Sequence, residues 1–200
     1  CTELGTVYSP SEIAGLSALA HSQGLVLHMD GARLGNAAAA AEVELRALTT
    51  DAGVDILSFG GTKNGLLGAE AVVVLDPELA VGFEYLRKQT LQLASKMRFL
   101  AAQFEALLTD ELWLRCAQQA NAMAARLAGS VERLPGLEIT HPVQSNAVFA
   151  ALPPAAIAAL RERFAFYLWD ERRGEARWMC SWDTTEEDVD TFAGAVAAAL

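Results

Sequence analysis

The sequence predicts an α/β protein with a mainly parallel sheet, followed by a smaller α+β C-terminal domain. Up to Asp76, short apolar runs alternate with stretches of helical periodicity, which is typical of a sheet covered by helices on both faces. From about Pro77 the pattern changes to long helices and then to short strands between helices. We place the boundary near Asp110, which gives domains of residues 1–110 and 111–200.

The first helix is predicted to begin just after Ser9. Ser9 can cap the helix, Pro10 suits its first position, and Glu12 completes a capping box. Apolar residues then recur at helical spacing as far as Gly24, which can end the helix.

Three apolar runs are predicted as strands of the N-terminal sheet, and a helix from Arg33 to about Ala41 follows the first. The strands are Leu25–Met29, Asp55–Phe59 and Ala69–Leu75. Asp30 directly follows the first strand, and a glycine-rich loop containing Lys63 follows the second. Because ligands of such sheets bind beyond the carboxyl ends of the strands, we expect Asp30 and Lys63 at one site.

The remaining elements are predicted as two long helices and an α+β arrangement. The helices cover much of Glu78–Leu108 and Glu111–Leu134. The later strands and helices are predicted at Leu137–Thr140, Ala147–Leu152, Pro154–Phe164 (helix), Phe166–Trp169, Ala176–Trp182 and Thr185–Leu200 (helix). Thr184 and Glu187 form a second capping-box signature.

Composition and sequence pattern disfavour several classes of partner. A net charge of -10 disfavours nucleic acid, because phosphate binding needs clustered Lys and Arg. No apolar run approaches the roughly 18 residues of a membrane span, and no basic-then-apolar leader opens the sequence. Three cysteines (Cys1, Cys116, Cys180) without a Cys-x-x-Cys pair disfavour disulfides and zinc. We therefore expect a cytoplasmic protein with no metal.

Asp30 and Arg33 lie three residues apart at the end of the first predicted strand. They would place opposite charges over a ligand site, although Asp at such a position is also a common turn or helix cap. His28 lies inside the apolar strand and is predicted to be a packed core residue. A metal site with Asp30 would need further ligands that the neighbouring sequence does not supply.

Lys63 lies in the glycine-rich segment Gly60-Gly61-Thr62-Lys63-Asn64-Gly65. The segment does not match the phosphate-binding loop, because Asn rather than Ser or Thr follows the lysine and the glycine spacing differs. A lysine in a partly buried pocket can act as an amine nucleophile. A pyridoxal cofactor needs such a lysine for its aldehyde and an acid for its ring nitrogen, which Asp30 would supply. The alternative is a tight turn with an incidental lysine.

Five segments together resemble the low-specificity L-threonine aldolases of the β-eliminating lyase group. They are Thr2–Tyr8, Leu27–Arg33, Asp55–Gly65, Gly68–Val73 and Ser181–Asp188. The resemblance implies a pyridoxal 5'-phosphate enzyme of fold type I, in which residues 1–110 belong to the large cofactor-binding domain. It also implies cleavage of L-threonine, L-allo-threonine and related β-hydroxy-α-amino acids to glycine and an aldehyde.

The same resemblance implies roles for five residues. Lys63 would form the Schiff base, and Asp30 would pair with the ring nitrogen. Arg33 would contact the ring oxygen of the cofactor or the substrate carboxylate. Arg98 would be directed towards the cofactor phosphate, and Arg177 would hold the substrate carboxylate. A surface salt bridge for Arg98 and an exposed strand charge for Arg177 are the alternatives.

Family members carry further strands, a Gly-Thr phosphate cradle and a ring-stacking histidine upstream of the segment that resembles Thr2–Tyr8. The resemblance therefore implies that the N-terminal part of such an enzyme is missing from these 200 residues, and we expect catalysis from the intact enzyme. We also expect a homo-oligomer, a dimer or tetramer, with its active site at a subunit boundary. β-Elimination on the same scaffold and a non-catalytic assembly module are the alternatives.

Overall fold

A computed structural model describes all 200 residues, and the chain divides into two compact units. The N-terminal unit comprises Tyr8–Trp113, and the C-terminal unit comprises Cys1–Val7 with Leu114–Leu200. No helix has the length and apolar character that crossing a membrane requires. The assignment of residues 1–110 to a cofactor-binding domain stays a prediction.

The N-terminal unit has a three-stranded sheet in the order β1-β2-β3. Strand β1 is parallel to β2, and β2 is antiparallel to β3. The elements are α1 (Pro10–Ser22), β1 (His28–Gly31), α2 (Leu34–Ala41), β2 (Ile56–Gly60), β3 (Glu70–Val74), α3 (Phe83–Gln89) and α4 (Arg98–Leu108). Short 3-10 turns join several of them, including Thr62–Asn64 just after β2.

The capping box of α1 is confirmed. Ser9 Oγ accepts a hydrogen bond from the Glu12 N–H at 3.2 Å, and Glu12 Oε2 accepts one from the Ser9 N–H at 2.8 Å. Each bond satisfies a backbone donor that a helix N-terminus leaves without an intrahelical partner. The helix ends at Ser22, and Gly24 then takes a left-handed conformation with φ +68°.

Strand β1 begins three residues later than predicted, at His28 rather than Leu25. The Leu27 N–H donates to the Asp55 side chain at 2.6 Å instead of to a strand partner. Leu25 is exposed and belongs to no strand. The strand ends at Gly31, so Asp30 lies within β1 and not beyond its end.

The single helix predicted over Glu78–Leu108 is wrong. A 3-10 turn at Pro77–Ala80 is followed by the separate helices α3 and α4. Between them Leu91 and Lys96 both take positive φ values of 60°, which a continuous right-handed helix does not allow. Neither residue type carries a local sequence signal for such a break, since glycine and asparagine are the usual residues there.

The C-terminal unit contains a four-stranded antiparallel sheet in the order β4-β5-β7-β6. Its elements are β4 (Glu138–Ile139), β5 (Ala147–Ala151), α6 (Pro154–Arg161), β6 (Tyr167–Asp170), β7 (Glu175–Met179) and α7 (Glu186–Ala199), and most of α5 (Leu112–Val131) belongs to it. The capping box of α7 uses Thr185 and Asp188, one residue later than predicted. Thr184 Oγ1 instead accepts a hydrogen bond from the Ser181 N–H at 2.8 Å.

One face of this sheet forms the core with α5, α6 and α7. Its buried residues include Leu127, Val131, Val148, Ala150, Ile157, Leu160, Ala176, Trp178, Val189 and Val196. Because side chains alternate between the faces of a strand, Phe149, Glu175 and Arg177 lie on the opposite face. The strand pattern of the sequence therefore separates a helix-covered face from a face with charged side chains.

Candidate active site

The chain segments that carry Asp30 and Lys63 meet at one edge of the N-terminal sheet. Asp30 pairs in register with Ser58 of the parallel strand β2, and Lys63 lies three residues beyond the end of β2. A Cβ atom built on Gly60 would be 2.8 Å from the Cα atom of Ala32. Only glycine allows this close approach, which joins the start of the Lys63 loop to the segment just after Asp30.

Asp30 makes one local hydrogen bond at this edge. Its Oδ1 atom accepts the Ala32 N–H at 3.0 Å, and the side chain is otherwise exposed. This bond is the turn-capping contact that a strand-end aspartate commonly makes. A carboxylate has roughly four lone-pair positions, so the same bond orients Asp30 while leaving acceptor capacity for a ligand.

Lys63 is exposed on the 3-10 turn Thr62–Asn64. Hydrogen bonds to Ala69 and to Glu70, the first residue of β3, hold the N-terminal side of this turn. The Thr62 N–H donates to Glu70 Oε1 at 3.3 Å, and the Ala69 N–H donates to Thr62 Oγ1 at 3.2 Å. The Gly61 N–H donates to the Ala69 carbonyl at 3.0 Å. The glycine-rich loop is therefore a defined turn that presents an amine to solvent.

Asn64 is a part of this turn that sequence reasoning missed. Its side chain is buried, and its Nδ2 atom donates to the backbone carbonyl of Trp113 at 2.9 Å. In the sequence, Asn64 only distinguishes this segment from a phosphate-binding loop. A polar amide directly beside a candidate lysine is the signal that was available.

The prediction that His28 is a packed core residue is wrong. His28 is exposed, and its Nε2 atom lies 2.9 Å from Ser58 Oγ on the neighbouring strand. His28 and Asp30 are two residues apart on β1 and so project from the same face. A polar pair therefore borders the candidate carboxylate, and no periodicity in the apolar run indicated it.

The two N-terminal arginines occupy helix starts. Arg33 is half-buried at the N-cap position of α2, at the same sheet edge as Asp30. Arg98 is the first residue of α4, and its guanidinium lies 4.8 Å from the ring centroid of Phe99. Arg98 makes no salt bridge within the chain, so the surface-salt-bridge alternative lacks a partner here.

Arg177 lies in the C-terminal unit, at the centre of β7. Its guanidinium carbon is 5.1 Å from the ring centroid of Trp169 and 5.5 Å from that of Tyr167. The residue is half-buried, and its Nε atom is buried without a hydrogen-bond partner. A buried donor without an acceptor is costly, so this guanidinium is not an ordinary solvated surface charge.

A further charged group, Glu175, lies on the same face of the C-terminal sheet. Glu175 is only 2% exposed, and its Oε1 atom lies 3.4 Å from His141 Nε2. The His141 ring packs edge-on against Phe149, and the Phe149 ring packs edge-on against Trp169. This face thus carries aromatic rings around two charges, a feature that strand alternation alone did not predict.

Comparison with known proteins gives consistent matches over the whole chain. The family profile described as beta-eliminating lyase matches residues 1–153. The chain is 49% identical over 193 residues to a low specificity L-threonine aldolase of Pseudomonas aeruginosa. This alignment covers 96% of this chain and 56% of that protein. It is 46% identical over 200 residues to the enzyme of the same name from a further Pseudomonas strain, covering 58% of it.

Solved structures show the same fold. The Leishmania major threonine aldolase structure superposes with a TM-score of 0.90 at 32% identity, covering 98% of this chain and 58% of that one. Mouse CSAD superposes with a TM-score of 0.70 at 14% identity, covering 93% of this chain and 48% of that one. The α/β class predicted from the sequence is therefore confirmed, and the chain spans less than three-fifths of the relatives that it matches.

Proposed function

Because this chain belongs to the beta-eliminating lyase family, we propose that the protein containing it is a pyridoxal 5'-phosphate-dependent lyase of the threonine aldolase type. Its reaction would be cleavage of L-threonine, L-allo-threonine and related β-hydroxy-α-amino acids to glycine and an aldehyde. The principal observation is the meeting of the Asp30 and Lys63 segments at the carboxyl ends of two parallel strands. The relatives named for this activity support the choice of substrate.

The chemistry of the residues at this edge suits the cofactor. An exposed amine, a carboxylate with remaining acceptor capacity and a guanidinium lie on neighbouring segments at Lys63, Asp30 and Arg33. These are the groups that an aldehyde, a ring nitrogen and a ring oxygen require. When bound, pyridoxal phosphate supplies an electron-accepting ring for the charge left when the Cα–Cβ bond breaks.

Each of these residues has a separate task in the proposal. The Lys63 amine would hold the cofactor aldehyde, and its exposed position on the turn would let it release that aldehyde to the substrate amine. Asp30 holds a proton on the ring nitrogen, and its bond from the Ala32 N–H keeps the carboxylate oriented. Arg33 contacts the ring oxygen or the substrate carboxylate.

Two further arginines bind the charged ends of the ligands in this proposal. Arg98 binds the cofactor phosphate. Arg177 binds the substrate carboxylate, which is a bidentate partner for guanidinium. Its half-buried position against Trp169 and Tyr167 and the lack of a salt bridge to it within the chain support this role. Orienting the carboxylate also orients the bond to be broken.

The proposed assembly is a homo-oligomer, a dimer or tetramer, with its site at a subunit boundary. Large apolar side chains between residues 81 and 99 are strongly exposed, among them Val81 at 90% and Leu91 at 88%. Exposure of so many large apolar side chains supports a contact surface on this segment. Cys116 and Cys180 form no disulfide, which supports a reducing compartment such as the cytoplasm.

The decisive experiment is reduction of the cofactor-loaded intact protein with borohydride, followed by peptide mapping. The pyridoxyl mass is expected on the peptide that contains Lys63, and a label on another lysine would overturn the assignment. Product analysis then separates the reactions: threonine should give glycine and acetaldehyde, whereas β-elimination from serine would give pyruvate. Protein without bound cofactor and without either activity would favour the assembly-module alternative.

A further inference from the structure

We propose that Asn64 is a positioning residue for Lys63, and that its buried amide fixes the turn on which the lysine stands. The inference rests on the proposed function, in which the Lys63 amine holds the cofactor. Asn64 contacts no reacting group in this proposal. It acts through the backbone that it shares with Lys63.

The two neighbouring side chains of the turn have opposite surroundings. Lys63 is exposed, whereas Asn64 is only 7% exposed. The Asn64 Nδ2 atom donates to the Trp113 carbonyl at 2.9 Å, a bond between residues 49 positions apart. This bond ties a surface turn to the start of helix α5, so that the turn is held by more than local contacts.

Helix α2 packs closely against this amide. A Cβ atom built on Gly35 would lie 2.9 Å from Asn64 Nδ2 and 3.6 Å from Cε3 of the Trp113 ring. A separation under 3 Å is closer than such atoms approach, so only glycine leaves the amide where it is. Asn64 is therefore held between a helix backbone and the carbonyl that accepts its hydrogen bond.

The turn needs an anchor on each side of the lysine because glycines flank it. Thr62 provides the first anchor through its bonds with Glu70 and Ala69. On the other side the Asn64 and Leu66 N–H groups donate to the Gly61 carbonyl within the turn, and Gly65 has φ +105° and no side chain. The Asn64 side chain therefore provides the second anchor to a different element. Glycine restricts backbone conformation least. Loss of the second anchor would leave the amine poorly oriented, and orientation controls the rate of an amine–aldehyde reaction.

The first test is Asn64→Leu in the intact protein, because leucine has nearly the same shape, carries no charge and cannot donate a hydrogen bond. We expect the Kd for pyridoxal phosphate to be at least tenfold higher, as measured by absorbance titration of the apo form. We also expect kcat for threonine to fall at least tenfold while KM stays within about twofold. The Kd measurement makes the test independent of turnover.

The second test is Gly35→Ala, which leaves the whole Lys63 turn unchanged in sequence. The added methyl group must displace the Asn64 amide, so kcat and cofactor Kd should change in the same direction as in Asn64→Leu. Gly35 does not have a positive φ, so alanine fits the backbone of the first turn of α2, and any loss of thermal stability should come from the displaced amide alone. This variant remains informative if Asn64→Leu fails to fold.

Ser17→Ala is the matched control, since Ser17 is 3% exposed in the same unit and its Oγ atom donates to the Gly53 carbonyl at 2.6 Å. It should lower Tm but leave cofactor Kd and kcat within twofold. If Asn64→Leu and Gly35→Ala behave like this control, Asn64 has only a structural role and the inference fails. If borohydride labels another lysine in the unaltered protein, the proposed Lys63 role fails first.

Discussion

The two compact units bury their apolar residues to different extents. The C-terminal unit closes a core between one face of its sheet and three helices. The N-terminal unit, which carries Asp30 and Lys63, leaves many large apolar side chains exposed: Leu16, Leu19, Leu25, Val26, Leu67, Val72, Val81, Tyr85, Leu86, Leu91, Leu93 and Phe99. Asp30 and Lys63 therefore lie on the unit whose large apolar side chains are less fully buried, and exposure of this extent favours contact with further protein surface.

The difference also separates two kinds of charged group. In the C-terminal unit, Glu175 and Arg177 lie on a sheet face among aromatic rings, with buried polar atoms that lack hydrogen-bond partners. In the N-terminal unit, Asp30 and Lys63 are exposed at a sheet edge. The sheet face around Arg177 is already formed within its unit, which suits binding of a charged ligand group. Asp30 and Lys63 are open to solvent, which suits residues that a ligand would cover.

The largest effect is expected for Leu160→Ala in the core of the C-terminal unit. Leu160 is 2% exposed, and truncation of a buried leucine costs about 3 kcal/mol of unfolding free energy. Leu25→Ser is the comparison in the N-terminal unit, where Leu25 is 62% exposed and the cost in this chain should stay below about 0.5 kcal/mol. Urea unfolding of both variants measures the difference, and equal costs would contradict the contrast between the units.

Asp30→Asn should lower kcat for threonine by roughly a hundredfold, the scale of a lost acid–base group. An amide cannot hold the ring nitrogen protonated as a carboxylate does. Cofactor binding through Lys63 should change much less, as absorbance titration would show. Unchanged turnover would mean that Asp30 serves only as the turn cap seen in its bond from the Ala32 N–H.

Arg177→Lys should raise KM for threonine several-fold, which corresponds to roughly 1 kcal/mol. Lysine keeps the charge but loses the planar fork that binds a carboxylate and stacks on Trp169. Steady-state kinetics measures the change, and cofactor absorbance and oligomeric state should remain as in the unaltered protein. Unaltered kinetics would leave Arg33 as the candidate for binding the carboxylate.

The smallest effect concerns Asp55, which joins α1 and the start of β1 to β2. The hydrogen bond from the Leu27 N–H lowers the pKa of Asp55, burial opposes it, and the bond from His21 adds to the lowering. A lowered folded-state pKa stabilises the protein above the unfolded value of about 3.9, and this stability is lost as pH falls through the folded value. Asp55→Asn should therefore cost about 1 kcal/mol at pH 7 and progressively less in acid. Urea unfolding at several pH values tests this, and a pH-independent cost would exclude the charge as its cause.

The sequence predicted most elements because local chemistry specifies them. Ser9, Pro10 and Glu12 define the start of α1 through contacts within one turn. The break between α3 and α4 was missed because Leu91 and Lys96 adopt their positive φ values without any local preference for them. The strand begins at His28 rather than at Leu25 because the Leu27 N–H donates to the side chain of Asp55, which is distant in sequence.

The sequence by itself determined the α/β class, the family resemblance and the candidate pair Asp30 and Lys63. These depend on residue types and on their spacing over short stretches of chain, both of which can be read from the sequence. Tertiary structure alone decided that Asn64 is buried and hydrogen-bonded to Trp113 and that His28 forms a hydrogen bond with Ser58. It also decided that Arg177 lies over the ring of Trp169. Each of these contacts joins residues far apart or on different strands, so it depends on register and packing that no local pattern specifies.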